Sequence, residues 1–346
     1  MRKKHFLFAS VLALLCGSST LHAQDFKLTS SGYFKNQGVD VMAFDDIYPE
    51  GHQGGVCIIM NGHRVATNGD IRLEATPGQW QPVPKQLDRK LGDNSITATL
   101  CYPDSSRHLT GFNPMIYPDL HLIYTVNVES KGKNIEVTVD LDRPIPQEFI
   151  GKVGFNLEFF PGSLFGKPWI MDGQSGIFPQ QPNSPLMTTQ PNYLHTGNYH
   201  DGKKSLADMD KLIGKGYSPI VADDIISEPY AKGTKFTSRP DDPYNKVTIE
   251  SLSGDLQLFD GRMNHNNGWF VLRSNIKPGV TKGAVKWIIT PNVVADWMYQ
   301  PVIQTSQIGY HPTQDKEAVI EMDIRDNRKE TAQIIRIDAD GEKVVK

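Results

Sequence analysis

Between Leu120 and Leu141 apolar and polar residues trade places with a period of two. Leu120, Leu122, Tyr124, Val126 and Val128 fall on one side of an extended chain, and His121, Thr125 and Asn127 on the other. Ile135, Val137, Val139 and Leu141 alternate in the same way with Glu136, Thr138, Asp140 and Asp142. Successive side chains of a strand point to opposite faces, so each run predicts a strand with one dry face and one wet face. The intervening Ser130-Lys131-Gly132-Lys133-Asn134 predicts the turn of a hairpin. A strand pair wet on one side belongs to an antiparallel sheet, because parallel sheets are buried on both faces.

The same pattern recurs at Val153, Phe155, Leu157 and Phe159, and over Val56–Met60, Ile71–Ala75, Ile96–Tyr102, Lys246–Leu252, Leu256–Phe259, Trp269–Arg273 and Val285–Ile289. About ten strands between Phe26 and Pro291 predict an all-β chain, most economically a large antiparallel β-sandwich. The pattern breaks between Pro161 and Glu228. Residues 161–200 are dense in Pro, Gly, Asn and Gln, and so long an irregular stretch inside a domain is usually functional. Leu206, Met209, Leu212 and Ile213 share a helical face ahead of Gly214 and Gly216, which predicts one helix.

The start of the chain speaks to location. Arg2, Lys3 and Lys4 precede an apolar run from Phe6 to Leu15, and Ala23 offers a small residue for cleavage. That order predicts a secretory signal peptide over residues 1–23 and a secreted or periplasmic protein; the run is too short to span a bilayer. A lipid anchor on Cys16 is the competing expectation, which Leu15 just before it disfavours. Removing 1–23 takes away three positive charges and turns the net charge of −3 into −6. No basic cluster offsets that balance, which argues against nucleic-acid binding. Cys57 and Cys101 lie in apolar contexts and read either as a disulfide or as two buried thiols. Neither their spacing nor any other predicts a metal site, and no cofactor is expected.

A boundary is expected near Thr290–Pro301, dividing a large domain over 25–297 from a second unit over 301–346. In the second unit Val302–Gln304, Ala318–Ile324 and Ala332–Asp338 read as strands, Asp338-Ala339-Asp340-Gly341 as a tight turn, and Glu342–Lys346 as the start of a fourth strand. The segment Ile303-Gln304-Thr305-Ser306-Gln307-Ile308-Gly309-Tyr310-His311-Pro312, followed by Lys316-Glu317-Ala318-Val319-Ile320, resembles the first strands of the immunoglobulin-like module that precedes the catalytic barrel in family 9 glycoside hydrolases. Ser306 stands where that pattern usually has Asn. Residues 25–300, through their architecture and Phe155-Asn156-Leu157-Glu158-Phe159-Phe160-Pro161-Gly162, resemble the β domain that some Bacteroidetes proteins place before that module. The general fold expected for them is a supersandwich of the galactose-mutarotase type. About 45 residues make just over half of a seven-stranded immunoglobulin-like sandwich. The expectation is therefore a non-catalytic accessory region of a secreted enzyme acting on β-glucan-type polysaccharide, with its catalytic domain C-terminal of Lys346. The alternatives are a stand-alone carbohydrate-binding protein or a mutarotase-like sugar enzyme.

Family 9 catalysis, as the resemblance implies, uses an Asp-Ala-Gly-Asp segment and a distant Glu. Asp338-Ala339-Asp340-Gly341 differs in order and reads as a hairpin turn, so no catalytic residue is assigned. Aromatic rings are the best candidates for sugar contact: Trp169, Tyr193 and Tyr199 in the irregular stretch, with Phe178 nearby, and Trp80 in a Pro-rich loop. Each could equally cover the core. Trp269, Trp287 and Trp297 sit in or beside strands and read as core. Glu158 with Asp172 could serve acid–base chemistry, and His195 and His200 with Asp201 could bind a metal or act as a base, although their five-residue separation sits in a loop without a second ligand pair. Asp223-Asp224 and Asp241-Asp242 offer calcium-type oxygens but read more simply as turn residues, and Glu158 as a solvated strand position.

Overall fold

The predicted hairpin is present as β8 (Ile123–Lys131) and β9 (Asn134–Leu141), joined by Gly132-Lys133, with Lys131 opposite Asn134. Tyr124, Val126 and Val128 face Leu141, Val139 and Val137 and are buried; the intervening positions are half-buried. The computed structural model describes residues 25–45, 54–74, 76–77, 84–102, 120–182, 187–189, 225–263, 268–327 and 331–345. The predicted helix over 206–213 lies outside them.

Two nine-stranded antiparallel sheets form the body. The first runs β1 (Lys27–Leu28), β2 (Phe34–Asn36), β3 (Val39–Ala43), β4 (Val56–Met60), β5 (His63–Leu73), β10 (Val153–Phe159), β19 (Phe270–Asn275), β18 (Leu256–Asp260), β15 (Ala231–Gly233). The second runs β12 (Gln174–Ile177), β11 (Pro168–Met171), β16 (Lys235–Ser238), β17 (Val247–Ser251), β20 (Val285–Pro291), β9, β8, β7 (Ser95–Cys101), β6 (Lys85–Leu91). The sheets meet through rings: Phe155 stands edge-on to Trp287 at 4.9 Å, and Phe159 edge-on to Phe236 at 5.8 Å. Trp287 also donates its indole N–H to Ser274 across the gap, 3.0 Å. The fold is an all-β sandwich.

Several expectations need correction. The described residues up to Pro291 hold twenty strands where about ten were expected, since β13 (Met187–Thr189) also pairs with β14 (Ile225–Ser227) outside the two sheets. The short strands β1 to β3, the charged β6 and the short strands β11, β12, β15 and β16 lack a long alternating run. The stretch after Pro161 is not irregular throughout, since β11 and β12 form a hairpin inside it. Cys57 and Cys101 form no disulfide with each other; Cys57 is buried with its Sγ 3.1 Å from Thr67 Oγ1, and Cys101 is half-buried.

Beyond Pro301 the described residues hold four short strands in two separate ladders, β21 (Val302–Gln304) with β22 (Val319–Glu321) and β23 (Ile335–Asp338) with β24 (Gly341–Val344). The Asp338–Gly341 turn is as expected: Asp338 faces Gly341, and Gly341 has φ +108°. Nearly every apolar side chain here is exposed; Ile308 and Ile324 are 99% accessible. Among the described residues no helix is long and apolar enough to cross a membrane.

Candidate functional site

Every residue of β10 and the last nine of β5 are buried. Ile71, Leu73, Phe155 and Leu157 belong to the sandwich core. Alternation then sends Asp70, Arg72, Glu74, Asn156 and Glu158 to the opposite face. Register completes the group, with Asn156 opposite Asp70 on one side and Arg273 of β19 on the other. Each of these six polar residues is 5% exposed or less. A strand wet on one face was expected for Glu158; instead it is 1% exposed and accepts a 2.6 Å hydrogen bond from Asn68 Nδ2.

Arg273 organises the group by using all five of its N–H donors. Nε donates to Asn275 Oδ1 (2.7 Å), Nη1 to Glu74 Oε1 and Asn156 Oδ1 (both 3.1 Å), and Nη2 to the carbonyls of Glu74 (3.1 Å) and Lys152 (2.9 Å). Asn156 Nδ2 in turn donates to Glu74 Oε1, 2.5 Å. Asp70 Oδ1 accepts from Ile71 N (2.7 Å) and the Tyr124 hydroxyl (3.0 Å), and the Tyr102 hydroxyl donates to Ile71 O (3.0 Å). Asn68 Oδ1, Arg72 Nε and Glu74 Oε2 are buried and find no hydrogen-bond partner among the described residues.

Charge in so dry a place is expensive. Burial lifts the Glu74 carboxyl to about 7 against the pull of Arg273, and the Asp70 carboxyl to about 6 against that of Arg72. Burial also raises the Tyr102 and Tyr124 hydroxyls. Two carboxyls that titrate near neutrality are suited to proton transfer. Here they are sealed from solvent, and the groups around them are occupied in holding the three strands together.

The predicted site residues are scattered. Trp169 is 6% exposed and packs its ring over Gly176, where a Cβ would drive into it. It belongs to the core and presents no free face for stacking. Phe178 is buried against Phe270 at 4.8 Å. Trp80, Tyr193 and Tyr199, like His195, His200, Asp201, Asp223 and Asp224, lie outside the described residues. Asp172 is remote from Glu158 in role: its carboxylate caps the start of β16, accepting from Thr234 N (2.6 Å) and Lys235 N (2.9 Å). Asp242 holds a turn, accepting from Tyr244 N (2.9 Å), Asn245 Nδ2 (3.0 Å) and Arg239. Those bonds account for it as a turn residue. His121 is exposed, in the left-handed region at φ 46°.

No protein-family model and no curated protein matches the chain. Among solved structures, a galactose mutarotase-like protein from Lactobacillus casei is similar at 12% identity and a TM-score of 0.33, over 74% of this chain and 97% of that one. Agreement this loose gives no guide to residues or chemistry.

Proposed function

We propose that this chain is a non-catalytic, exported accessory region of a glycoside hydrolase acting on β-glucan-type polysaccharide. In this reading residues 301–346 begin an immunoglobulin-like module, and the catalytic domain lies beyond Lys346. The observation that carries the reading is the outward display of apolar side chains over 302–345. Ile308 and Ile324 are fully exposed, and Val319, Ile335, Ile337 and Val344 are all more than a third accessible. Apolar surface concentrated in this way marks a contact face. It falls on the segment whose Gly309-Tyr310-His311-Pro312 turn carries the family 9 resemblance, and Gly309 there has φ +81°, as the bend requires. Reading the frame past codon 346 tests the proposal. The expected result is strands that complete the sandwich, then a helical barrel with an Asp-Ala-Gly-Asp segment; an unrelated gene directly downstream sinks it. The chain alone is expected to release no reducing ends from β-glucan.

A mutarotase-like sugar enzyme is the second reading. One observation favours it: burial lifts the Glu74 carboxyl to about 7, which suits that group for proton transfer near neutrality. It requires the buried face to open to a sugar. Polarimetry tests it: anomer exchange above background, abolished in Glu74→Gln, would establish it, and a background rate would dismiss it.

A further inference from the structure

A cleft of about 910 Å³ lies between the outer side of the first sheet's edge and the chain after Pro291. One wall is a row of side chains in register across four strands: Lys27 is opposite Lys35, Lys35 opposite Asp40, and Asp40 opposite Ile59. The other wall is aromatic. Trp297 seats on the β2–β3 turn at Gly38, Tyr299 lies over the β4–β5 turn at Gly62, and the two rings stand edge to face at 6.2 Å. Both rings are half-exposed. Hydrogen bonds fix this wall: Gln37 Nε2 donates to Trp297 O (2.7 Å), Tyr299 N donates to Asp323 Oδ2 (3.0 Å), and Arg325 grips both Trp297 O and Asp323.

The lining says what would fit. Three cationic side chains meet four carboxylates, and one of each pair off as Arg325 and Asp323. Such a balance favours neither a polyanion nor a polycation. Lys27 and Lys35 face each other directly, an arrangement that costs stability in a sheet unless something accepts from both. Asp40 beside them is half-buried, and that burial raises its carboxyl. Donors and an acceptor repeat at the strand spacing of ~4.8 Å, close to the length of one unit in an extended sugar chain. Rings along the facing wall offer flat apolar surface to C–H groups.

We propose that this cleft binds an uncharged, extended oligosaccharide, with Trp297 and Tyr299 contacting the sugar rings and Lys27, Lys35 and Asp40 contacting hydroxyls. The proposal deepens the accessory reading above and rests on it. Calorimetry with the full chain and cellohexaose, xylohexaose, mannohexaose and a galacturonate hexamer tests it. At least one neutral hexamer is expected to bind, and the galacturonate not. Trp297→Ala should weaken that binding by at least about tenfold. Lys27→Gln, at an exposed edge position that leaves the fold intact, and Asp40→Asn should each weaken it severalfold, while Ile337→Ser leaves it unchanged. Absence of binding by every neutral hexamer, preference for galacturonate, or full affinity in both Lys27→Gln and Asp40→Asn overturns the proposal without touching the accessory reading. That reading fails separately, if the unaltered chain releases reducing ends in the same samples.

Discussion

Arg273 and Glu74 are 199 residues apart in sequence, yet their side chains meet 3.1 Å apart in the first sheet with 1% of each exposed. The pair lies across β10, so it ties the strands on either side of the sheet's centre. Breaking a buried pair by removing one partner typically costs ~3–5 kcal/mol, because the other charge stays buried alone. Arg273→Met is expected to lower stability by that amount, read as the urea midpoint with an unchanged slope. Arg273→Met combined with Glu74→Leu should recover much of the loss, since an apolar replacement removes the stranded charge as well. A single variant within about 1 kcal/mol of the parent would deny the pair its structural role.

Stability should fall as pH rises from about 4 to about 7 through this same cluster. Burial raises Glu74 from an ordinary 4.5 to about 7 and Asp70 from 3.8 to about 6. A carboxyl raised in the folded state holds its proton more tightly there than in the unfolded chain. Its stabilising effect is complete below the unfolded value and is lost as pH climbs through the folded one. The thermal midpoint is therefore expected to be several degrees higher at pH 5 than at pH 7.5. Asp70→Asn and Glu74→Gln should each flatten the slope even where they lower the midpoint itself. An equal slope in parent and variants would show that other groups set the dependence.

Arg262 pins a neighbouring loop. Its guanidinium forks onto Asp260 with two 2.8 Å bonds, donates to the carbonyls of Pro179 (2.8 Å), Gln180 (2.9 Å) and Gln181 (3.3 Å), and lies over the Phe270 and Phe165 rings at 4.5 and 5.1 Å. Lysine cannot reproduce a planar fork with five donors. Arg262→Lys should cost on the order of 2 kcal/mol, within the range for hydrogen bonds to charged groups. It should also raise hydrogen exchange at Gln180 and Gln181 selectively. Protection there equal to the parent's would mean that the loop is held by other contacts.

The sequence carried the fold class and the central strands of the first sheet, but not the burial of their polar face. β8 and β9 were legible because each has one dry face, so alternation appears in the letters. β5 and β10 are buried on both faces, and their second face is polar, so Glu158 reads as solvent-facing and Asp70, Arg72 and Glu74 draw no notice. Their compensation comes from Arg273 and Asn156, far along the chain, which no local window contains. One signal was available: Asp70, Arg72 and Glu74 alternate in sign at strand spacing, a pattern in which neighbouring charges can compensate one another. The same limit applies to Trp169. Its Pro- and Gly-rich surroundings suggested an exposed ring, but Gly176 is what lets the indole lie flat on the adjacent strand.

Gly38 and Gly62 test whether the ring wall depends on the two hairpin turns. Gly38 has φ +66°, and a Cβ there would come within 2.6 Å of Asn61 Oδ1 and 2.7 Å of Trp297 Cε3. Gly62 has φ +82°, and its Cβ would meet Tyr299 Cε2 at 3.3 Å. Alanine in the left-handed region costs roughly 1–3 kcal/mol wherever it occurs, so both variants lose stability by the same backbone mechanism. Only Gly38→Ala also evicts Trp297, because ring and new methyl cannot share that space. Gly38→Ala is therefore expected to red-shift the tryptophan emission and speed proteolysis between Pro291 and Pro301. Gly62→Ala should leave the emission near that of the parent, since a 3.3 Å contact can relax by a small tilt of Tyr299. In a Trp297→Phe background the emission change of Gly38→Ala should vanish. A red shift that persists there would place the disturbance at another tryptophan and detach the ring wall from the turns.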